Sequence, residues 1–556
     1  MSAPRLLARF DDFTGGEIGL RSPRRAARNM FIGKNVMVFP DRSIGPRHGA
    51  IRLQGSSLNP SQGVHLVGWT PYGGSTGTVW WLDFAGNIRQ KTIDAFYAPT
   101  PAWVNSGTVG TFGLTELFGA WNLSQTRTYI VGTNVRVTVI SHDTASAATI
   151  AAPAPTGRCI ARYGNRLYVG GADGVAYRVA YSNVGTSWAG AGNWSATNYF
   201  ELPVTSAIVA LIPQRDHLVI QQVTGNYWIF TGSPGVNETL RQATEWSQVN
   251  DPLLDQQIID RVPAHAVGRT NRGELWHCPA MRRRPVRFDG VAPEMLEYLE
   301  LSDTPTNMSY DGGIITSVAA LDGPDDIVIL GGIESAGYNG LSRHDRVWSR
   351  HLFDFASNYP PAAACQGPFG SVIIGTANTA GGTEAGIYWW MAAAEAPPLF
   401  QTPYKGRTAK AAAPDDGFTP LTGTRGTIPD CEFATAYVLA KDGGEFLVRH
   451  VVVHFTAYRT GDTVNSDHFE MSVMRHHVSE QPTITGTAIP TDTTPIVWNL
   501  DPTAIGAADG DSQHFTKKFS VAAGRCTAFA IEFTKMRGVK IEEIEVFGDG
   551  EPARVN

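Results

Sequence analysis

From Val64 onward the sequence returns again and again to one plan: a short apolar strand, a turn, a second strand, then a strand carrying aromatics. The plan is clear in "RTYIVGTNVRVTVI" from Arg127, "NRLYVGGADGVAYRVA" from Asn165 and "DHLVIQQVTGNYWIFTG" from Asp216. It continues in units that begin at Gly273, Asp325 and Gly370, and a less regular copy starts at Val64. Equivalent strands lie 38 to 57 residues apart. A sheet of such short strands cannot bury a face alone. Stacking units of this length around an axis solves the problem, which is the logic of a propeller blade. The spacing predicts a β-propeller of about seven blades over 63–391. Two consecutive β-sandwiches are the plainer alternative for the same strands.

Composition agrees with an all-β chain. Of 556 residues, 59 are Gly and 34 Pro, and only 17% are charged, below the usual quarter. Residues 392–430 are rich in Pro, Ala and Thr without periodicity and read as a linker. Beyond them the side chains alternate at period two: Phe469, Met471 and Val473 face one way, His468, Glu470 and Ser472 the other. Residues 431–556 are therefore expected to form a C-terminal β-sandwich of jelly-roll type.

Charge divides the chain. Residues 10–49 hold seven Lys/Arg against four Asp/Glu, a balance of +3; the whole chain is −6, so the remainder sums to −9. Residues 1–62 thus read as a basic N-terminal arm and hairpin that contributes to the propeller or meets a neighbour. Its Arg21, Arg24, Arg25 and Arg28 are candidate partner contacts. So are Arg282, Arg283 and Arg284 of "MRRRPVRF", although no nucleic-acid module surrounds them. The five cysteines, Cys159, Cys278, Cys365, Cys431 and Cys526, are widely spaced, with no metal or disulfide pattern. They suit assembly in a reducing compartment. No signal-peptide core is present and no apolar run approaches ~20 residues, so a soluble protein without membrane insertion is expected.

Candidate chemistry is thin. "GGSTG", Gly73–Gly77, matches a nucleophile-elbow pattern, but that motif needs a helix after it and "VW" follows, so a hairpin turn fits better. "YSNVGTSWAG", Tyr181–Gly190, is similar to the Ser-x-Asp-x-Gly-x-x-Trp box of sialidase propellers, with its spacing off by one and no Asp. No pair of carboxylates for glycoside hydrolysis can be assembled from sequence. "DGDSQH", Asp509–His514, has the i,i+2 carboxylates of some calcium loops but no further ligands at regular offsets. Asp325 and Asp326 mark a strand entry. His450, His454, His468, His476, His477 and His514 gather in the last module. His450 and His454 lie roughly 13 Å apart on one strand, too far to share an ion; a metal would need cross-strand pairing, and plain surface histidines are the expected reading. No cofactor, metal or catalytic residue is assigned, and a scaffold rather than an enzyme is expected.

Three segments carry a family resemblance. "FDDFTGG" followed by Arg24, Ala27, Arg28 and Asn29, then "DRSIGPRHG" from Asp41, resembles the start of tailed-bacteriophage tail proteins of the β-propeller kind. The run from Tyr177 to Gly232 and the closing "VRHVVVHF…HFEMSVMRHH…AFAIEF…IEEIEVFG" are similar to the middle and end of such chains. The resemblance implies a structural virion protein, a nozzle-ring or tail-tip subunit. It would be homo-oligomeric, dock on other tail proteins (tube, adaptor, hub or fibre) and line or extend the conduit through which DNA leaves. Arginines of the arm could clamp acidic neighbours. Two other functions remain open. One is a host-surface glycan- or receptor-binding module, with Tyr458 and Trp498 as sugar contacts. The other is a polysaccharide-degrading tail enzyme.

Overall fold

A computed structural model describes residues 4–13, 30–34, 36–39, 41–46, 50–52, 63–73, 76–93, 103–110, 117–124, 126–224, 226–244, 361–367, 371–376, 386–391, 431–441, 444–458, 467–476, 495–499, 512–521, 524–536 and 538–552. Between 267 and 353 it describes strand backbones only. The described residues are almost wholly strand, with two short 3-10 turns at Ala172–Gly174 and Ala191–Asn193. Among them no helix is long and apolar enough to cross a membrane.

Seven antiparallel four-stranded units appear among the described residues. Six are uninterrupted meanders, here blades 1 to 6, over 64–108, 118–149, 159–201, 208–242, 267–295 and 314–353. Their first strands touch in succession. Val64–Gly73 meets Phe118–Ser124, which meets Cys159–Tyr163, which meets Ile208–Pro213; further on, Val267–Arg269 meets Ile314–Ala320, which meets Pro361–Gln366. Pro361–Gln366 then returns to Val64–Gly73, so the ring of inner strands comes back on itself. This is a β-propeller.

The seams are apolar because each blade turns one set of alternating side chains to its neighbour. Leu66, Trp80, Leu82 and Ile88 of blade 1 pack on Phe118, Ile130 and Ile140 of blade 2. Tyr168 and Val179 of blade 3 pack on Leu218, Ile220 and Phe230 of blade 4. The hairpin between the second and third strands of blade 1 shows why glycine recurs in these turns. Gly86 has φ +77°, and a Cβ there would stand 1.5 Å from the carbonyl oxygen of Gly110. In the same blade Gly73 and Thr76 of "GGSTG" stand opposite one another on the first two strands.

Blade 7 is composite. Pro361–Gln366, Ser371–Thr376 and Ile387–Met391 supply three strands, and Ala50–Arg52 supplies the fourth, with Ile51 opposite Trp389. A strand from the start of the chain thereby ties the ring to its end.

Two further sheets share one core. The first runs, in order, Val36–Val38, Ile44–Pro46, Val539–Asp549, Phe446–Tyr458, Ser512–Ser520, with Arg5–Phe10 also on Val539–Asp549 and Arg525–Cys526 on Phe446–Tyr458. The second contains Met30–Lys34, Cys431–Thr435, Ala528–Met536, Asp467–His476 and Ile496–Asn499. Phe433, Phe455, Phe469, Phe529 and Phe533 fill the space between, joined by Leu7, Phe10, Phe13, Val36, Val38 and Ile44 from the N-terminal segment. Phe469, Met471 and Val473, read from sequence as one face, all lie in this core.

The N-terminal segment is therefore built into its own chain on both sides. Met30–Lys34 pairs antiparallel with Cys431–Thr435 and, through Lys34 and Arg350, parallel with the last strand of blade 6. Propeller and paired sheets are hydrogen-bonded into one ten-stranded sheet there. Arg21, Arg24, Arg25, Arg28, Arg282, Arg283, Arg284, Asp325, Asp326 and the expected linker 392–430 lie outside the described residues.

Candidate functional site

Local alternation places the charged groups of the last module. Along Val539–Asp549, Val539, Ile541, Ile544 and Val546 point into the core. Strict alternation would put Glu543 inside beside Ile541. Instead the ladder slips: His454 faces Glu543 and Phe455 faces Ile541, so one extra residue, Glu542, is inserted opposite the bond between them. A bulge of this kind re-aims side chains, and here it leaves Glu542, Glu543 and Glu545 all on the outer face. The next strand out, Ser512–Ser520, sets Thr516 opposite His454 and His514 opposite Thr456. On the far side Arg5–Phe10 sets Arg9 opposite Glu545.

These rungs assemble a half-buried cluster. One ligand atom each from His454, Glu543 and Glu545 lie within 4.8 Å of one another. Thr516 Oγ1 is 3.1 Å from His454 Nδ1, so the other ring nitrogen, Nε2, faces Glu545 at 3.8 Å. Arg9 Nε lies 2.6 Å from Glu543 and 3.4 Å from Asp11. Beside them His514 Nδ1 stands 3.1 Å from Glu542, whose other oxygen accepts from Thr456 at 2.5 Å. An imidazole with two carboxylates is a donor set suited to a borderline divalent cation.

Of the histidines marked in the sequence, His454 and His514 join this patch, their rings 6.5 Å apart. His450 stacks on Phe547 at 4.8 Å, and its imidazole is held below the ordinary pKa by burial, with Lys518 adding repulsion. The side chains of His468 and His476, together with His477 and Asp509–Asp511, lie outside the described residues. Glu543, Glu545, Thr516 and Arg9 were not singled out in the sequence. The doubled glutamate in "IEEIE", which breaks period-two alternation, was the available signal.

The aromatic candidates fare differently. Trp498 packs its ring at 5.5 Å on Phe469 (interplanar 22°), with Phe455 and Phe515 edge-on at 4.7 and 5.4 Å. Its ring is committed to the core edge. The side chain of Tyr458 lies outside the described residues.

The sialidase-like segment joins two blades. Ser182 Oγ accepts from the Leu167 amide and donates to the Asn183 carbonyl, at 2.9 and 3.0 Å. Trp188 is fully buried; its Nε1–H donates to the Asn183 carbonyl, and its backbone amide reaches Tyr129 Oη of blade 2 at 3.2 Å.

A buried polar network joins blades 1 and 2. His142 Nδ1 donates to Gln90 Oε1 at 2.7 Å, and its Nε2 meets Thr128 and Thr70 hydroxyls at 2.9 and 3.2 Å. Gln90 in turn donates to Ser106 at 2.8 Å. Burial pushes the His142 pKa down to about 4, opposed by Asp143. Because the unfolded chain takes up this proton first, its contribution to stability is complete above pH ~6.5 and is lost as pH falls toward about 4. That loss amounts to about 3 kcal/mol. Urea titrations at pH 7.5 and 4.5 should show it in the parent protein, and His142→Gln should flatten the dependence by that amount.

Three cysteines serve packing. Cys159, Cys431 and Cys526 are buried and form no disulfide, and burial pushes the Cys159 pKa up to about 12.

No protein-family model and no curated protein sequence matches the chain. Among solved structures it is similar to "YCF48 bound to D1 peptide" (14% identity, 63% of this chain, 97% of that one, TM-score 0.39). It is also similar to a chain of the "Mitotic Checkpoint Complex" (12% identity, 64% and 93%, TM-score 0.38). A third is "RRP9 WD40 repeats" (12% identity, 62% and 97%, TM-score 0.37). These are likenesses of chain course, and nothing those proteins bind transfers with them.

Proposed function

We propose that the protein is a structural subunit of a bacteriophage tail, part of a nozzle ring or tail tip. The reading rests on the resemblance of the N-terminal, middle and C-terminal segments to such proteins. One structural observation favours a building part: the first fifty-odd residues stitch the propeller and the paired sheets into a continuous unit. A ring that must keep its bore under load needs subunits without internal hinges, and shared sheet hydrogen bonds provide that. Buried polar groups point the same way. His142 bonds to both Gln90 and Thr128, Gln222 to Trp228, and Ser472 to Glu532. All of these hold strands in register.

In this reading the closing module is a jelly-roll sandwich, the chain assembles with copies of itself and with tube, hub or fibre subunits, and DNA passes without being bound. Purified full-length protein should form rings or tip-like clusters by negative-stain microscopy and mass photometry. Antibodies raised against it should decorate virion tails. A protein that stays monomeric at every concentration and labels no virion overturns the proposal.

A further inference from the structure

We infer that His454, Glu543 and Glu545 form a binding site for a borderline first-row divalent cation of the Zn2+ class on the outer face of the seven-stranded sheet. This goes beyond the structural role and stands without it. The donors sit on two directly hydrogen-bonded strands, so their backbones are fixed by the ladder before any ion arrives. The bulge at Glu542 sets Glu543 directly opposite His454, with Glu545 two rungs along on the same face. Thr516 holds Nδ1 and leaves Nε2 toward the carboxylates, the outer-shell support that metal-binding imidazoles use. The three side chains are between 21 and 27% exposed, shielded from bulk water yet reachable.

Bonds of about 2.0–2.2 Å to nitrogen and oxygen would bring the donor atoms ~3–3.5 Å apart. The present separations, up to 4.8 Å, close by rotation about the glutamate side-chain torsions. Arg9 is the built-in competitor. It neutralises Glu543 in the free protein, and Asp11 offers it a second carboxylate when the ion takes its place. The two glutamate carboxylates outnumber the one guanidinium of Arg9, so the site offers net negative charge to a dication. One imidazole among the donors selects Zn2+ over Ca2+ and Mg2+, which prefer all-oxygen shells.

The experiment is a Zn2+ titration by calorimetry of full-length, chelator-treated protein, with thermal melting of each metal-free variant to verify its fold. The parent should bind Zn2+ in preference to Ca2+. His454→Ala and Glu545→Gln should each weaken binding at least about tenfold, the low end of the loss from disturbing even an outer-shell partner. Arg9→Gln should tighten it about two- to fivefold, because an exposed ion pair of up to about 1 kcal/mol no longer competes. X-ray absorption of the loaded protein should show a nitrogen/oxygen shell containing imidazole. Equal affinity in parent and His454→Ala, a preference for Ca2+, or unchanged affinity in Arg9→Gln overturns the site.

Discussion

A chain lacking residues 1–52 should fail to hold either half of the molecule together. Six buried apolar side chains go with the segment: Leu7, Phe10, Phe13, Val36, Val38 and Ile44, all in the core between the two sheets. At about 1.5–3 kcal/mol each, their loss costs about 9–18 kcal/mol, comparable to or above the 5–15 kcal/mol by which a domain is ordinarily stable. The same deletion strips Ala50–Arg52 from Ile387–Met391 and exposes the edge of blade 7. Limited proteolysis should cut the truncated chain at protease levels that leave the full chain intact, and size exclusion should show aggregate. A truncated protein that melts at the parent temperature would mean that the segment is an accessory. A milder version separates the two roles. Ile51→Pro, which bars a residue of the closing strand from donating to the ladder, should loosen the propeller while the paired sheets keep their protection in hydrogen exchange.

Trp188→Ala should destabilise by about 3–5 kcal/mol, the usual cost of truncating a fully buried large aromatic. The ring touches both sides of the seam between blades 2 and 3, packing edge-on against Tyr129 at 6.2 Å with Arg162 over its face at 5.9 Å. Its own carbonyl accepts from Trp194 Nε1 at 3.2 Å, so the whole loop from Asn183 to Trp194 leans on it. Chemical unfolding followed by circular dichroism measures the effect. Trp188→Phe should recover part of it, since volume returns while the bond to the Asn183 carbonyl does not. A cost under about 1 kcal/mol would show that the loop is decoration rather than an inter-blade brace.

Much of this architecture was legible in the sequence because it rests on local periodicity. Units such as "RTYIVGTNVRVTVI" announce strand, turn and strand, and a repeat of this length leaves few arrangements in which short sheets find cover. The inward set Phe469, Met471 and Val473 followed from period-two alternation alone. The partners of the first strands were not legible. Nothing near Ala50 marks it as the fourth strand of a blade whose other strands lie more than three hundred residues away, and nothing in "RLLARF" names Val539–Asp549 as its partner. Strand pairing depends on complementary edges and register, which chain neighbours do not encode.

The sites show the same division. The sequence determined that His454 lies on a strand with His450 and that Trp188 follows a Ser-led segment; in it His514 reads as the end of a loop, where the structure has it on strand Ser512–Ser520. Only the tertiary structure decided which rung each histidine shares. A one-residue bulge moved two glutamates to the side of His454; the break in "IEEIE" hints at a bulge, but which residue it would face is fixed only by the neighbouring strand. Likewise Trp498 has the composition of a sugar platform, but three phenylalanines from other strands claim its ring. What a side chain can be follows from its own strand; what it does follows from the strands beside it.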